Sequence, residues 1–341
     1  MKNMKTLVCE SPGALVYTDT VKPGIKKGHA LLRIQRIGVC GTDLHAYEGT
    51  QPYFTYPRIL GHELAAELVD ADEAPGFQPG EPVTIMPYFN CGHCIACRSG
   101  KPNCCVQLQV CGVHTDGGMR EYLLVPSASL LHGNGLSPDE LALTEPLAIG
   151  AHAIGRAAIQ KEEWVLVAGA GPIGLGIIAF AAIAGAGIIV LDVNEGRLEF
   201  CRNQLGVRHT INGMNTDVTA ALKEITNGDM PTVVIDATGS LKAINNGFQY
   251  MAHGGRYVLV GLQKGDLQVS HPEFHKREAT LMSSRNATKK DFEFVIDCIK
   301  DHRVKPLNFI THRVSFGQTG NEFASWLNPA NGVIKAMIAM S

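Results

Sequence analysis

Residues 164–192, WVLVAGAGPIGLGIIAFAAIAGAGIIVLD, decide the fold. Trp164–Ala168 is a short continuous apolar run, the pattern of a strand buried on both faces. Gly169-Ala170-Gly171-Pro172-Ile173-Gly174 then supplies a turn, Leu175–Ala184 an apolar helix, and Ile188–Leu191 a second buried strand ending at Asp192. The 28 residues from Trp164 to Leu191 carry no charge, a length that would span a bilayer. However, Gly169, Gly171, Pro172, Gly174 and Gly176 punctuate the front of the run, which favours strand, turn and helix over a membrane span.

Downstream, the alternation continues. Glu195–Leu205 reads as a helix, and Val233–Ile235 and Arg256–Val260 read as strands. Strands alternating with helices imply a doubly wound parallel sheet, expected here over residues 151–289. Upstream, residues 1–150 are short strand candidates divided by Gly and Pro, among them Ala30–Ile37, Glu63–Val69 and Pro82–Met86. Few helical periods interrupt them, so this part is expected to be a β-rich domain, with residues 290–341 returning to it. The fold class is therefore α/β with two domains.

Gly169, Gly171 and Gly174 match G-x-G-x-x-G between a strand and a helix. The first glycine permits the tight turn, the second lets a pyrophosphate approach the backbone, and the third lets helix pack on strand. Asp192, 18 residues after Gly174, is placed to bond both ribose hydroxyls, and its charge would repel a 2′-phosphate. The pattern predicts NAD rather than NADP. Arg197 reads either as lining the adenine side or as a solvated helix charge.

Composition excludes other classes. Lys plus Arg is 30 against 32 for Asp plus Glu, a net charge of −2, and aromatics are 6%. No basic run or stacking platform for nucleic acid follows from these. The N-terminus MKNMKTLVC lacks the apolar region of a signal peptide, which predicts a cytoplasmic protein without a membrane segment.

Cys91, Cys94, Cys97 and Cys105 fall within 15 residues of one another. Four soft ligands in a short loop suit a closed, structural zinc site, with a redox pair or free thiols as the competing readings. Cys104, beside Cys105, is an alternative fourth ligand on spacing alone; His93 reads as a loop residue. Elsewhere Cys40, His62, Glu63 and Glu145 offer a thiolate, an imidazole and two carboxylates. Such a mixed set suits a metal with one open coordination position.

These motifs carry a family resemblance over essentially the whole chain. GVCGTDLH at 38–45, GHE at 61–63, CGHCIACRSGKPNCC at 91–105, DGGMREYLLVP at 116–126, EPL at 145–147, GAGPIG at 169–174 and DATG at 236–239 resemble the zinc-dependent medium-chain alcohol/polyol dehydrogenase superfamily. Within it, GTQPYFTYPRILGHE and HPEFHKREATLMSSRNATKKDF are similar to bacterial L-galactonate and L-gulonate 5-dehydrogenases. The resemblance implies a GroES-like β-rich catalytic domain with a Rossmann domain inserted before its last segment, and a homodimer or homotetramer. It implies two zinc ions per chain. One is held by Cys40, His62 and Glu145, with Glu63 ligating or holding the metal's water; the other by Cys91, Cys94, Cys97 and Cys105. It further implies that Asp43 bonds the free ring nitrogen of His62 and that Thr42 accepts the substrate proton and passes it outward by way of the cofactor ribose and His45. One departure stands out: Ala46 follows His45 where many polyol enzymes have Tyr, so details of their substrate pockets do not carry over.

The activity implied is oxidation of a secondary alcohol of a sugar acid to a ketone, with NAD. A galactitol- or sorbitol-type polyol dehydrogenase is the alternative. A regulatory protein on the same fold is a third reading, disfavoured by the intact set Cys40, His62, Glu63 and Glu145. Gly239, Gly261 and Leu262, after two Rossmann strands, read as lining the nicotinamide site or as plain strand-end turns. A sugar acid calls for a cationic reader, best an arginine fork. Arg285 is the candidate, with an interdomain or subunit-contact arginine as the competing role.

Overall fold

The computed structural model describes residues 3–52 and 54–340, which form two compact units, 1–146 with 288–341, and 147–287. The second unit is the simpler. Its strands are β1 (Trp164–Ala168), β2 (Gly187–Asp192), β3 (His209–Asn212), β4 (Val233–Asp236), β5 (Arg256–Leu259) and β6 (Thr280–Ser283). All pair in parallel, in the order β3-β2-β1-β4-β5-β6. That order reverses direction at β1, where open α/β sheets bind dinucleotides beyond the strand ends. The uncharged stretch resolves into β1, the 12-residue helix Pro172–Ile183 and β2. Among the described residues no helix is long and apolar enough to cross a membrane. Leu166, Ile189, Val234 and Tyr257 anchor one apolar layer of this unit.

The first unit is built on a seven-stranded sheet. Strand His29–Val39 is central, antiparallel to Glu63–Ala71 on one side and to Lys335–Ala339 on the other. The C-terminal strand thus completes the sheet begun by the N-terminal segment, and Ile310–Ser315 pairs with it in parallel. A three-stranded sheet of Ala14–Val21, Asn3–Ser11 and Arg58–Ile59 lies in the same unit. The β-rich expectation for this region does not include two helices that hold candidate site residues, Gly41–Glu48 and the start of Thr144–Ala157. Helix Gly41–Glu48 is short on helical periodicity because one of its two buried residues is the charged Asp43.

Candidate active site and metal centres

Strand His29–Val39 ends at Cys40, which caps helix Gly41–Glu48, while Gly61 and His62 lead into strand Glu63–Ala71. The antiparallel register pairs Gly38 with Glu63, setting the two chain segments side by side. A Cβ on Gly38 would lie 2.1 Å from Glu63 Oε2, so only glycine leaves room for that carboxylate. Asp43 ties the segments together: Oδ2 accepts the Cys40 N–H at 2.9 Å, and Oδ1 accepts the Gly61 N–H at 3.1 Å. Cys40 Sγ, a His62 ring nitrogen and a Glu63 oxygen all come within 4.8 Å of one another.

His62 Nδ1 lies 3.6 Å from Asp43 Oδ1 and has no hydrogen-bond partner. The expected Asp43–His62 hydrogen bond is therefore not formed, since 3.6 Å exceeds hydrogen-bond range. Asp43 directs its oxygens to two backbone N–H groups and acts on the ring by charge. Burial opposes an imidazolium, yet Asp43, Cys40 and Glu145 raise the His62 pKa well above the ordinary histidine value. A buried ring set within 4.8 Å of a thiol and a carboxylate, in surroundings that favour positive charge, fits the donor chemistry of a zinc ion.

The two carboxylates are held differently. Glu63 is fully buried, and Lys335, 2% exposed, donates to both its oxygens at 2.6 and 2.7 Å and to Val39 O at 3.1 Å. Glu145, in the first turn of helix Thr144–Ala157, is buried and accepts a hydrogen bond at Oε1 from the Tyr88 hydroxyl. Burial and the charge of Glu63 push its pKa up to about 6, while His62, Tyr88 and Lys335 hold it down. Glu145 is not part of the three-donor cluster, although it bears on His62 electrostatically. Sequence reasoning missed both Tyr88 and Lys335. The available signal was a lysine heading a strand, Lys335–Ala339, whose other residues are all apolar.

Thr42 and His45 lie three residues apart on helix Gly41–Glu48 and so share a face. His45 is exposed, and its Nδ1 is 3.2 Å from both Glu48 Oε2 and Thr50 Oγ1.

The cysteine lobe brings Cys91, Cys94, Cys97 and Cys105 together, with all four sulfurs within 4.8 Å. Cys94 Sγ is 3.5 Å from Cys97 Sγ and 3.8 Å from Cys105 Sγ. Zinc–sulfur bonds of ~2.3 Å at tetrahedral angles put sulfurs ~3.8 Å apart, whereas a disulfide needs ~2.05 Å. Backbone N–H groups of Cys91 and Gln107 donate to Cys105 Sγ, and that of Cys94 to Cys91 Sγ. Cys104 is exposed and outside the cluster, and His93 Nδ1 turns to the Cys91 carbonyl at 2.8 Å.

In the second unit the glycine turn has the geometry its motif requires. Gly169 has φ +97°, and a Cβ on Gly174 would sit 1.8 Å from Gly169 O. Around Gly171, by contrast, a Cβ would meet nothing nearer than the Arg197 guanidinium at 3.8 Å. The backbone there is open to a phosphate, with a cation facing it. Pro172 occupies the first helical position, where its missing N–H costs nothing, and Ile173 follows it in the first turn. Asp192 Oδ2 accepts the Ala170 N–H at 2.6 Å and Oδ1 that of Asn194 at 2.8 Å. Each oxygen keeps a lone pair for a ribose hydroxyl. A Cβ on Gly261 would lie 2.3 Å from Gly239 N, so the turns after β4 and β5 pack on one another; Leu262 beside them is exposed. Arg285, two residues beyond β6, is exposed.

Residues 26–134 match the alcohol dehydrogenase GroES-like domain, and residues 172–301 the zinc-binding dehydrogenase family. The chain belongs to the zinc-dependent medium-chain alcohol dehydrogenases. It is 42% identical to the L-galactonate-5-dehydrogenase of Escherichia coli (strain K12), over 99% of each chain. It is 30% identical to a sorbitol dehydrogenase of Halalkalibacterium halodurans, over 92% of this chain and 94% of that one. The alcohol dehydrogenase rspB of E. coli CFT073, solved with NADH, superposes with a TM-score of 0.92 at 30% identity and 99% coverage of both. As a member of this family the chain is an oxidoreductase that uses zinc and NAD and acts on a small molecule.

Proposed function

We propose that this dehydrogenase oxidises a secondary alcohol of a sugar acid of the L-galactonate type to the ketone. The observation that supports the substrate class is the full-length similarity to an L-galactonate-5-dehydrogenase. We assign Cys40, His62 and Glu145 as ligands of a catalytic zinc, with Glu63, which shares the three-donor cluster, ligating it or holding its water, and the four cysteines as ligands of a second, structural zinc. The catalytic zinc supplies a Lewis acid that makes a secondary hydroxyl acidic near neutral pH, and NAD supplies the hydride acceptor. Thr42 takes the hydroxyl proton as it releases its own, which passes outward by way of the cofactor ribose and His45 to Glu48 or water. Lys335 balances the charge of Glu63, and Asp43 keeps Cys40 and His62 in register. Gly169, Gly171, Pro172, Ile173 and Gly174 cradle the pyrophosphate, and Asp192 holds the adenosine ribose. Arg197 faces the cofactor's phosphates, and Gly239, Gly261 and Leu262 border the nicotinamide. Arg285 reads the substrate carboxylate. In the cell the family resemblance points to a cytoplasmic homodimer or homotetramer.

The sorbitol dehydrogenase relative favours a second reading, an alditol substrate. The test follows NAD reduction at 340 nm with L-galactonate, L-gulonate, galactitol and sorbitol, in wild type and Arg285→Ala. Aldonates are expected to win, and R285A to lose aldonate turnover by about 10- to 100-fold, the worth of a charged hydrogen bond. A tenfold or greater preference for alditols in kcat/KM, about 1.4 kcal/mol of transition-state binding, would sink the sugar-acid assignment.

A further inference from the structure

We propose that Tyr88 is a positioning residue for the catalytic metal, acting through Glu145. This rests on the assignment of Glu145 as a ligand. Tyr88 lies in the short strand Tyr88–Phe89, whose pairing with Gln109–Val110 fixes its backbone. Its side chain is buried, and its ring meets Phe292 edge-on at 6.2 Å between centroids. The phenol therefore has little freedom, and its hydroxyl reaches Glu145 Oε1. A carboxylate has only acceptors, so Tyr88 is the donor.

The consequence is a choice between oxygens. The terminal torsion of a glutamate is soft, and an unheld carboxylate turns freely between two equivalent faces. With Oε1 engaged by Tyr88, Oε2 is left to ligate, and Glu145 becomes a one-oxygen donor of defined direction. Glu63 gives the contrast: both of its oxygens are engaged by Lys335 at 2.6 and 2.7 Å, so its carboxylate is drawn towards an internal cation. Two acids of the same type close to one His–Cys pair are thus distinguished by what stands behind each. Partners of this kind typically change metal affinity by 10- to 100-fold.

The experiment compares wild type, Y88F, E145Q and Y88F/E145Q as zinc-loaded proteins, titrated with 1,10-phenanthroline while zinc release is followed. The cysteine-site zinc serves as an internal control of folding. Y88F keeps the ring and removes one hydroxyl, so a purely structural tyrosine would be replaced by Phe without effect. We expect Y88F to release the labile zinc at about 10- to 100-fold lower chelator, and cobalt in that site to show a shifted visible spectrum. The double variant should bind no more weakly than E145Q alone, because Tyr88 has nothing left to orient. Unchanged affinity in E145Q would overturn the ligand assignment itself. Weakened E145Q with unchanged Y88F would overturn the role of Tyr88 alone, as would additive losses. Loss of the cysteine-site zinc in Y88F would also overturn it, by showing that the phenol supports the fold.

Discussion

Lys335→Met tests how the first unit tolerates an acidic metal site in its interior. Lys335 is 2% exposed and Glu63 fully buried, and the ammonium contacts both carboxylate oxygens at 2.6 and 2.7 Å. Unit charges ~4 Å apart at an effective dielectric of ~20 attract by about 4 kcal/mol. Removing one member of a buried pair costs about 3–5 kcal/mol, because the other is left charged and unpaired. Methionine keeps the unbranched stem and drops the charge, so the loss is electrostatic rather than a cavity. We expect K335M to lose about 3–5 kcal/mol, a fall in Tm of roughly 6–20 °C for a domain of this size. Glu63→Gln in the K335M background removes the stranded carboxylate and should restore at least about 2 kcal/mol. The assay is thermal and urea unfolding of wild type, K335M, E63Q and the double variant, all at the same free zinc, since metal binding stabilises the folded state by mass action. K335M within about 1 kcal/mol of wild type, or additive losses in the double variant, would refute the reasoning.

Asp192→Ala should raise the KM for NAD and relax discrimination against NADP, and it should also lower Tm. The Ala170 and Asn194 N–H groups lose their acceptor, at about 1–3 kcal/mol for each one left unsatisfied. Steady-state kinetics with both cofactors check the first effect, and a wild type that already prefers NADP would show the role of Asp192 to be wrong. Cys97→Ser should lower stability more than turnover, whereas Cys40→Ser should abolish turnover and spare stability. Zinc analysis should find two ions per chain in active wild type and one in each variant; a single zinc in fully active protein would remove the two-site reading.

What could be read from the chain depended on how local each feature is. Helix Glu195–Leu205 has the bounds its pattern implies, with Asn194 accepting the Arg197 N–H at its start and Gly206 at φ +66° at its end. The glycine turn and the cysteine lobe were legible for the same reason: each is one contiguous segment whose spacing carries its own geometry. The acidic site is different, because Cys40, His62, Glu63 and Glu145 come from three segments: their donor chemistry marks them as a set, but no spacing brings them together, and the fold clusters Cys40, His62 and Glu63. Asp43 shows the limit of family resemblance. Resemblance put it beside His62, yet which lone pair meets which N–H depends on the Gly61 turn, and the backbone took both oxygens. Lys335 and Tyr88 were hidden more deeply. A lysine near the C-terminus reads as a solvated charge, and a tyrosine between Pro87 and Phe89 reads as core. It takes the pairing of Ala336 with Val39 to carry the Lys335 amine to Glu63, 272 residues away in sequence. Charge compensation is set by strand register rather than by residue type. A buried acidic site therefore offers its candidate ligands in its motifs and its counter-charges only in its fold.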